Sequence, residues 1–110
     1  MSQQVKIQNL LYRETSAGVA DEVYLPLGKE RTFQVTGFTS AGVGAALVNI
    51  EVSNDGENFL VLHHFDLALS NTTISDSYYC DEPWKYVRGN IASLSGVDAE
   101  ITLIMGNSGY

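Results

Sequence analysis

Cysteine occurs once in this chain, at position 80, so no internal disulfide is possible and the fold has to rest on a buried apolar core. Basic residues are scarce as well, 6 against 13 acidic ones, for a formal charge of −7. Attraction to phosphate backbones needs the opposite sign, so no nucleic acid is expected as a partner. No apolar run approaches the roughly 20 residues of a membrane span, so no membrane partner is expected either. A basic segment leading into an apolar stretch is also missing. Met1-Ser2-Gln3-Gln4 is polar and Val5 to Tyr12 is mixed, which predicts synthesis in the cytoplasm. Helical periodicity with a cap and a stop is found in no window.

What remains is a chain of 110 residues with 45% hydrophobic content, the size and composition of one globular domain spanning 1–110. Its organising stretch is Ala46 to Phe65. Ala46, Val48, Ile50 and Val52 alternate with Leu47, Asn49 and Glu51, the period of a strand with one buried face. Asp55-Gly56 follows within a cluster of turn formers, and Phe59, Val61, His63 and Phe65 alternate again. This predicts a hairpin with a type I′ turn centred on Asp55-Gly56, placing Val52 opposite Phe59, Ile50 opposite Val61 and Val48 opposite His63. The reverse face carries Ala45, Leu47, Leu60 and Leu62 beside Asn49 and Glu51. A solvated face is normally more polar, so a covering element or a second chain is expected there.

Along the rest of the chain, Val5 to Tyr12 reads as a first strand or an extended arm over 1–12. Val23, Leu25 and Leu27 form a short run that Pro26 marks as an edge strand or bulge. Thr32 to Phe38 alternates cleanly, with Phe33 and Val35 on one face. Thr39 to Gly44 reads as a loop, and Asp66 to Asp81 as an irregular connection or short edge strand around Ile74. Trp84 to Ile91 is rich in aromatic and β-branched residues, Leu94-Ser95-Gly96 reads as a turn, and Val97 to Met105 gives a last alternation. Residues 106–110 read as a flexible tail. Six to eight short strands separated by Gly, Ser and Asn predict an all-β, antiparallel sandwich of jelly-roll type.

Catalytic patterns are weak. His63 and His64 are adjacent on a strand and point to opposite faces, and His64 with Asp66 supplies too few ligands, so no metal and no cofactor is expected. Cys80 lies beside Asp81 and Glu82, whose charges disfavour a thiolate. Gly42-Val43-Gly44 precedes a strand and lacks the helix of a phosphate loop. Carboxylate pairs drawn from Asp76, Asp81, Glu82, Asp98 and Glu100 arise by chance in so acidic a chain. Enzyme activity is therefore not expected. Among the aromatics, Trp84 is expected to plug one end of the sandwich. The alternative is a sugar platform of Tyr78, Tyr79, Trp84 and Arg88.

Two segments together, V-S-N-D-G-E-N-F (52–59) and P-W-K-Y-V-R-G-N-I (83–91), resemble small β-sandwich virion proteins of tailed bacteriophages, of the capsid decoration or staple type. The closing stretch from Ser95 to Gly106 is similar too. The hairpin is also similar to discoidin-like carbohydrate-binding modules, with Phe59 in place of the usual tryptophan. The first resemblance implies a virion structural protein on the capsid surface, with the major capsid protein as partner and a homo-oligomer, dimer or trimer, as its state. The second implies a carbohydrate-binding module of a tail or fibre. Partner contacts are expected at Val5, Ile7, Leu11 and Tyr12 of the first segment, at Leu47, Leu60 and Leu62 of the hairpin, and at Tyr78 and Tyr79.

Overall fold

The computed structural model describes residues 5–26 and 28–108. Nine strands are present among them, in chain order β1 (Val5–Glu14), β2 (Gly18–Val19), β3 (Val23–Tyr24), β4 (Glu30–Phe38), β5 (Ala41–Ser53), β6 (Leu60–Leu69), β7 (Ile74–Cys80), β8 (Tyr86–Val97) and β9 (Glu100–Ser108). They form two antiparallel sheets, one ordered β1-β9-β4-β7 and the other β2-β8-β5-β6, with β3 also on β8. The chain crosses between sheets after β1, β3, β4, β6, β7 and β8, the interleaving of a jelly roll. The all-β sandwich is therefore as the alternation predicts. Two strands of two residues each bring the count above the expected six to eight.

Alternation placed the core. Val48, Ile50 and Val52 of β5, Phe65, Leu67 and Leu69 of β6, and Val87 and Ile91 of β8 project inward from one sheet. Phe33 and Val35 of β4 and Ile101, Leu103 and Met105 of β9 meet them from the other. Val5 to Tyr12 is a strand and not a free arm: it pairs with β9 from Val5 opposite Ser108 to Leu11 opposite Leu103. Residues 106–108 lie in β9, so the expected tail is strand up to Ser108, and 109–110 lie outside the described residues, as do 1–4 and Leu27.

The hairpin exists but differs in register. Val52 faces Leu60, Ile50 faces His63 and Val48 faces Phe65, with a bulge at Leu62 between the Ile50 and Glu51 rungs. The turn is not type I′, since only Gly56 has positive φ (76°) and Asp55 does not. The Asp55 side chain replaces that geometry. Its Oδ1 accepts from the backbone N–H groups of Glu57 and Asn58, both at 2.9 Å, while Ser53 Oγ accepts from Asp55 N and Gly56 N. An aspartate that bonds the backbone two and three residues on holds a wider loop than a two-residue turn.

Two further expectations are corrected. Of Thr39 to Gly44 only Thr39 and Ser40 form a tight turn, and β5 starts at Ala41, locked by Thr39 Oγ1 donating to Gly42 O at 2.8 Å. Leu94-Ser95-Gly96 continues β8, and the chain reverses instead at Asp98, whose φ is 49°. Glycine here serves close approach. A Cβ on Gly44 would overlap the carbonyl oxygen of Ser95 across the β5–β8 pair.

Candidate partner-binding surface

A sheet with one face in the core offers its other face to solvent or to a partner, and strand register decides which side chains line up there. On the first sheet, one rung runs Ile7–Gly106–Thr32–Tyr79 across β1, β9, β4 and β7. Ile7 is 69% exposed and Tyr79 55% exposed, so a large apolar side chain stands at each end of that rung. The next rung, Asn9–Ile104–Gln34–Ser77, carries no charged side chain.

The second sheet is built differently. Asn90, Asn49 and His64 share a rung, and Arg88, Glu51 and Val61 the next one. Glu51 is only 8% exposed because neighbouring side chains of the sheet, with Phe59 of the loop before β6, close over it. Arg88 Nε donates to Glu51 Oε1 at 2.7 Å and Asn90 Nδ2 donates to Oε2 at 2.8 Å. Arg88 also lies over the Phe59 ring, with Cζ 3.8 Å from its centroid. His64 Nδ1 and Asn49 Oδ1 are 2.7 Å apart. Tyr24 and Tyr86 flank this network with ring centroids 5.2 Å apart, and the exposed Val19 sits beside Asn90. Both carboxylate oxygens of Glu51 are thus bonded, and no buried side-chain nitrogen or oxygen among the described residues lacks a partner. The result is a preorganised polar patch bordered by aromatic rings.

The residues picked from sequence fall into separate places. Leu60 is half exposed at the start of β6; Leu62, in the bulge, is partly buried against the core. Leu47 lies half-buried on the outer face of the second sheet, between Ser93 and Asp66. Leu11 is a correction. A bulge in β1 turns both Leu10 and Leu11 inward, so Leu11 is 2% exposed and belongs to the core beneath Gly89. Tyr12 stays exposed on the wall of a cleft of about 530 Å³ between β1 and the β2–β3 edge. Val5 is paired through its backbone, and its side chain lies outside the described set. Tyr78 is half-buried, stacked on His63 at 4.1 Å between ring centroids.

The aromatic platform proposed for a sugar does not assemble. Tyr78 and Tyr79 belong to the first sheet and Arg88 to the second. Trp84 is half-buried against the core, its Nε1 donating to Glu82 Oε1 at 3.0 Å. Pairing of Glu51 with Arg88 escaped the sequence reading because 37 residues separate them, and only the β5–β8 register brings them together.

Candidate reactive groups are also accounted for. Burial pushes the Cys80 thiol up against the opposing hydrogen bond from the Glu82 backbone N–H, with the charges of Glu82 and Asp81 adding to the rise, and depresses His63 against the opposing pull of Asp76. Among the described residues, no three His, Cys, Asp or Glu side chains group closely enough to hold a metal ion.

No family model matches the chain, and no curated protein matches it by sequence. Solved structures do match by fold. The SPBc2 prophage-derived protein YomS is similar at 10% identity and a TM-score of 0.67, over 97% of this chain and 95% of that one. The PBSX exported protein XepA is similar at 12% identity and a TM-score of 0.57, over 100% of this chain but 39% of that one. The C-terminal family 22 carbohydrate-binding module of Clostridium thermocellum Xyn10B is similar at 12% identity and a TM-score of 0.50, over 97% of this chain and 82% of that one. At such identities the likeness is one of fold, shared with phage-derived proteins and with a carbohydrate-binding module.

Proposed function

We propose that this chain is a non-enzymatic structural protein of a bacteriophage virion, which decorates the outer capsid and stabilises it by bridging subunits of the major capsid protein. The observation that carries this reading is the distribution of apolar surface. The core closes without Ile7, Tyr79, Leu60, Val19 or Val43, and these stand exposed on both outer faces and at both ends of a thin sandwich. Docking on one coat subunit by one face and on its neighbour by another would bury them. Binding that occurs only on the assembled shell stabilises it by mass action. An end-to-end shared fold with a prophage-derived protein supports the same reading.

The test is co-sedimentation of the purified chain with empty capsids assembled from the major capsid protein of the same genome. Binding that Tyr79→Asp and Leu60→Asp each weaken at least tenfold, with the fold intact, is the expected result. Failure of the unaltered chain to sediment with shells would refute the proposal.

A second reading rests on a specific observation, the Glu51–Arg88–Asn90 and Asn49–His64 bonds between the Tyr24–Tyr86 pair and Val19. Fixed polar groups beside exposed rings suit the hydroxyls and apolar faces of a sugar. A glycan array separates the two: saturable binding to one glycan class, abolished by Arg88→Ala, supports a carbohydrate-binding module.

A further inference from the structure

Four edges bound the two sheets, and three are blunted in ways that discourage further strand pairing. β1 carries two register shifts, between Asn9 and Leu11 and between Leu11 and Glu14. β2 and β3 are two residues each. β7 is short and presents Ser75, Asp76 and Ser77. Short strands, bulges and charge are the usual devices that protect an edge. β6 is the exception. It spans ten residues, its only strand partner among the described residues is β5, and its regular rungs run unbroken from His63 opposite Ile50 to Leu69 opposite Gly44. Leu60 and Val61 stand exposed at its start.

We propose that β6 pairs antiparallel with β6 of a second copy of this chain, about a two-fold axis at Phe65, joining the second sheets of both copies into one continuous sheet. An antiparallel strand paired with itself is closed and self-complementary, which suits a second copy better than an unrelated chain. Charge selects the register. Side chains on one rung must share a face, so the axis has to fall on a residue. Centring on His64 sets His64 against His64, and centring on Asp66 sets Asp66 against Asp66. Centring on Phe65 sets each Asp66 carboxylate beside the His64 ring of the other copy, twice over. Both residues are exposed and lie on the outer face. Asn49 Oδ1 accepts from His64 Nδ1, so Nε2 faces the incoming carboxylate and donates to it when the ring carries both protons. The same axis brings Leu60 and Val61 towards the end of the partner's β6, and the bulge at Leu62 keeps both out of the shared ladder. It also places two Glu51–Arg88 patches on one shared face, so the particle is bivalent towards any ligand of that face.

The test is sedimentation equilibrium on the full chain, with circular dichroism as the check on folding. The chain is expected to sediment at twice its mass of 12.0 kDa. Asp66→Arg removes the carboxylate and sets a guanidinium against each His64 ring, and is expected to halve that mass, while adding His64→Asp, which gives each guanidinium a carboxylate across the rung, restores it. A folded wild type that remains at 12.0 kDa up to its solubility limit, or forms a trimer, overturns the proposal. So does a folded Asp66→Arg variant that remains dimeric, or a folded double variant that stays monomeric. Shell binding is measured separately on the monomeric variant, so the capsid reading stands or falls on its own result.

Discussion

Arg31 is 1% exposed, and neutral oxygens receive its guanidinium: Asn107 Oδ1 at 3.1 Å, Glu82 O at 2.6 Å and Gly28 O at 2.9 Å. Burial lowers its proton affinity from the usual arginine range, but an arginine remains charged. The fork thus ties β9 and the loops around Gly28 and Glu82 to one point. Replacing it with the apolar Arg31→Met strands three acceptors, at an expected loss of about 2–4 kcal/mol in urea unfolding. Arg31→Lys is expected to recover little, because a point charge cannot serve three directions. In the sequence this role is invisible: Arg31 shares the parity of Phe33 and Val35, yet it lies just before the alternating stretch Thr32 to Phe38.

Asp55 shows the opposite case, an exposed residue with a specific task. Hydrogen bonds from Asn58 above all, then from Glu57 and Ser53, hold its carboxyl far below the usual carboxylate range. A depressed folded value means that its contribution is complete above the ordinary aspartate range near 3.8 and is lost as pH falls below it. Amide exchange at Gly56, Glu57 and Asn58 is therefore expected to accelerate on acidification below about pH 4, beyond the intrinsic pH dependence of exchange. In Asp55→Asn that exchange should already be fast at neutral pH and should lack the added acid response.

At the scale of elements, β5 and β8 form the spine of the second sheet, paired from Ala41 opposite Val97 to Ser53 opposite Tyr86. Their close approach depends on Gly44, whose added Cβ would lie 3.0 Å from Gly96 Cα as well as meeting the Ser95 carbonyl. Both obstacles are backbone and cannot swing aside. Gly44→Ala is expected to cost about 1–3 kcal/mol and to broaden amide signals of residues 41–45 and 93–97. The sequence reading took these glycines for loop and turn because it weighed their conformational freedom and not their lack of a side chain. Alternation read β4, β5 and β9 well, since each has one face in the core. It missed the bulge at Leu62, because alternation from Phe59 to Phe65 runs straight through a residue that leaves the ladder.

For the whole molecule, fold class was legible and the surface was not. Periodicity reports which face of each strand is buried, and a jelly roll follows from many short strands of that kind. Rows such as Ile7–Gly106–Thr32–Tyr79 join four strands distant in sequence, and no local pattern announces them. The same limit misplaced Leu11 on the surface and grouped Tyr78 and Tyr79 of the first sheet with Arg88 of the second and with Trp84 of the segment between β7 and β8. Ile7→Ser with Tyr79→Ser removes apolar surface that the core does not use. Its melting temperature is expected to change by less than about 3 °C, a surface-sized effect, while affinity for empty capsids falls.

Scanning calorimetry of empty capsids, with and without saturating amounts of this chain, measures the proposed role most directly. Binding to the assembled shell alone raises the coat unfolding temperature by several degrees and leaves dissociated coat subunits unchanged. An unshifted shell transition, with the chain unfolding separately at its own temperature, would contradict a capsid-stabilising function.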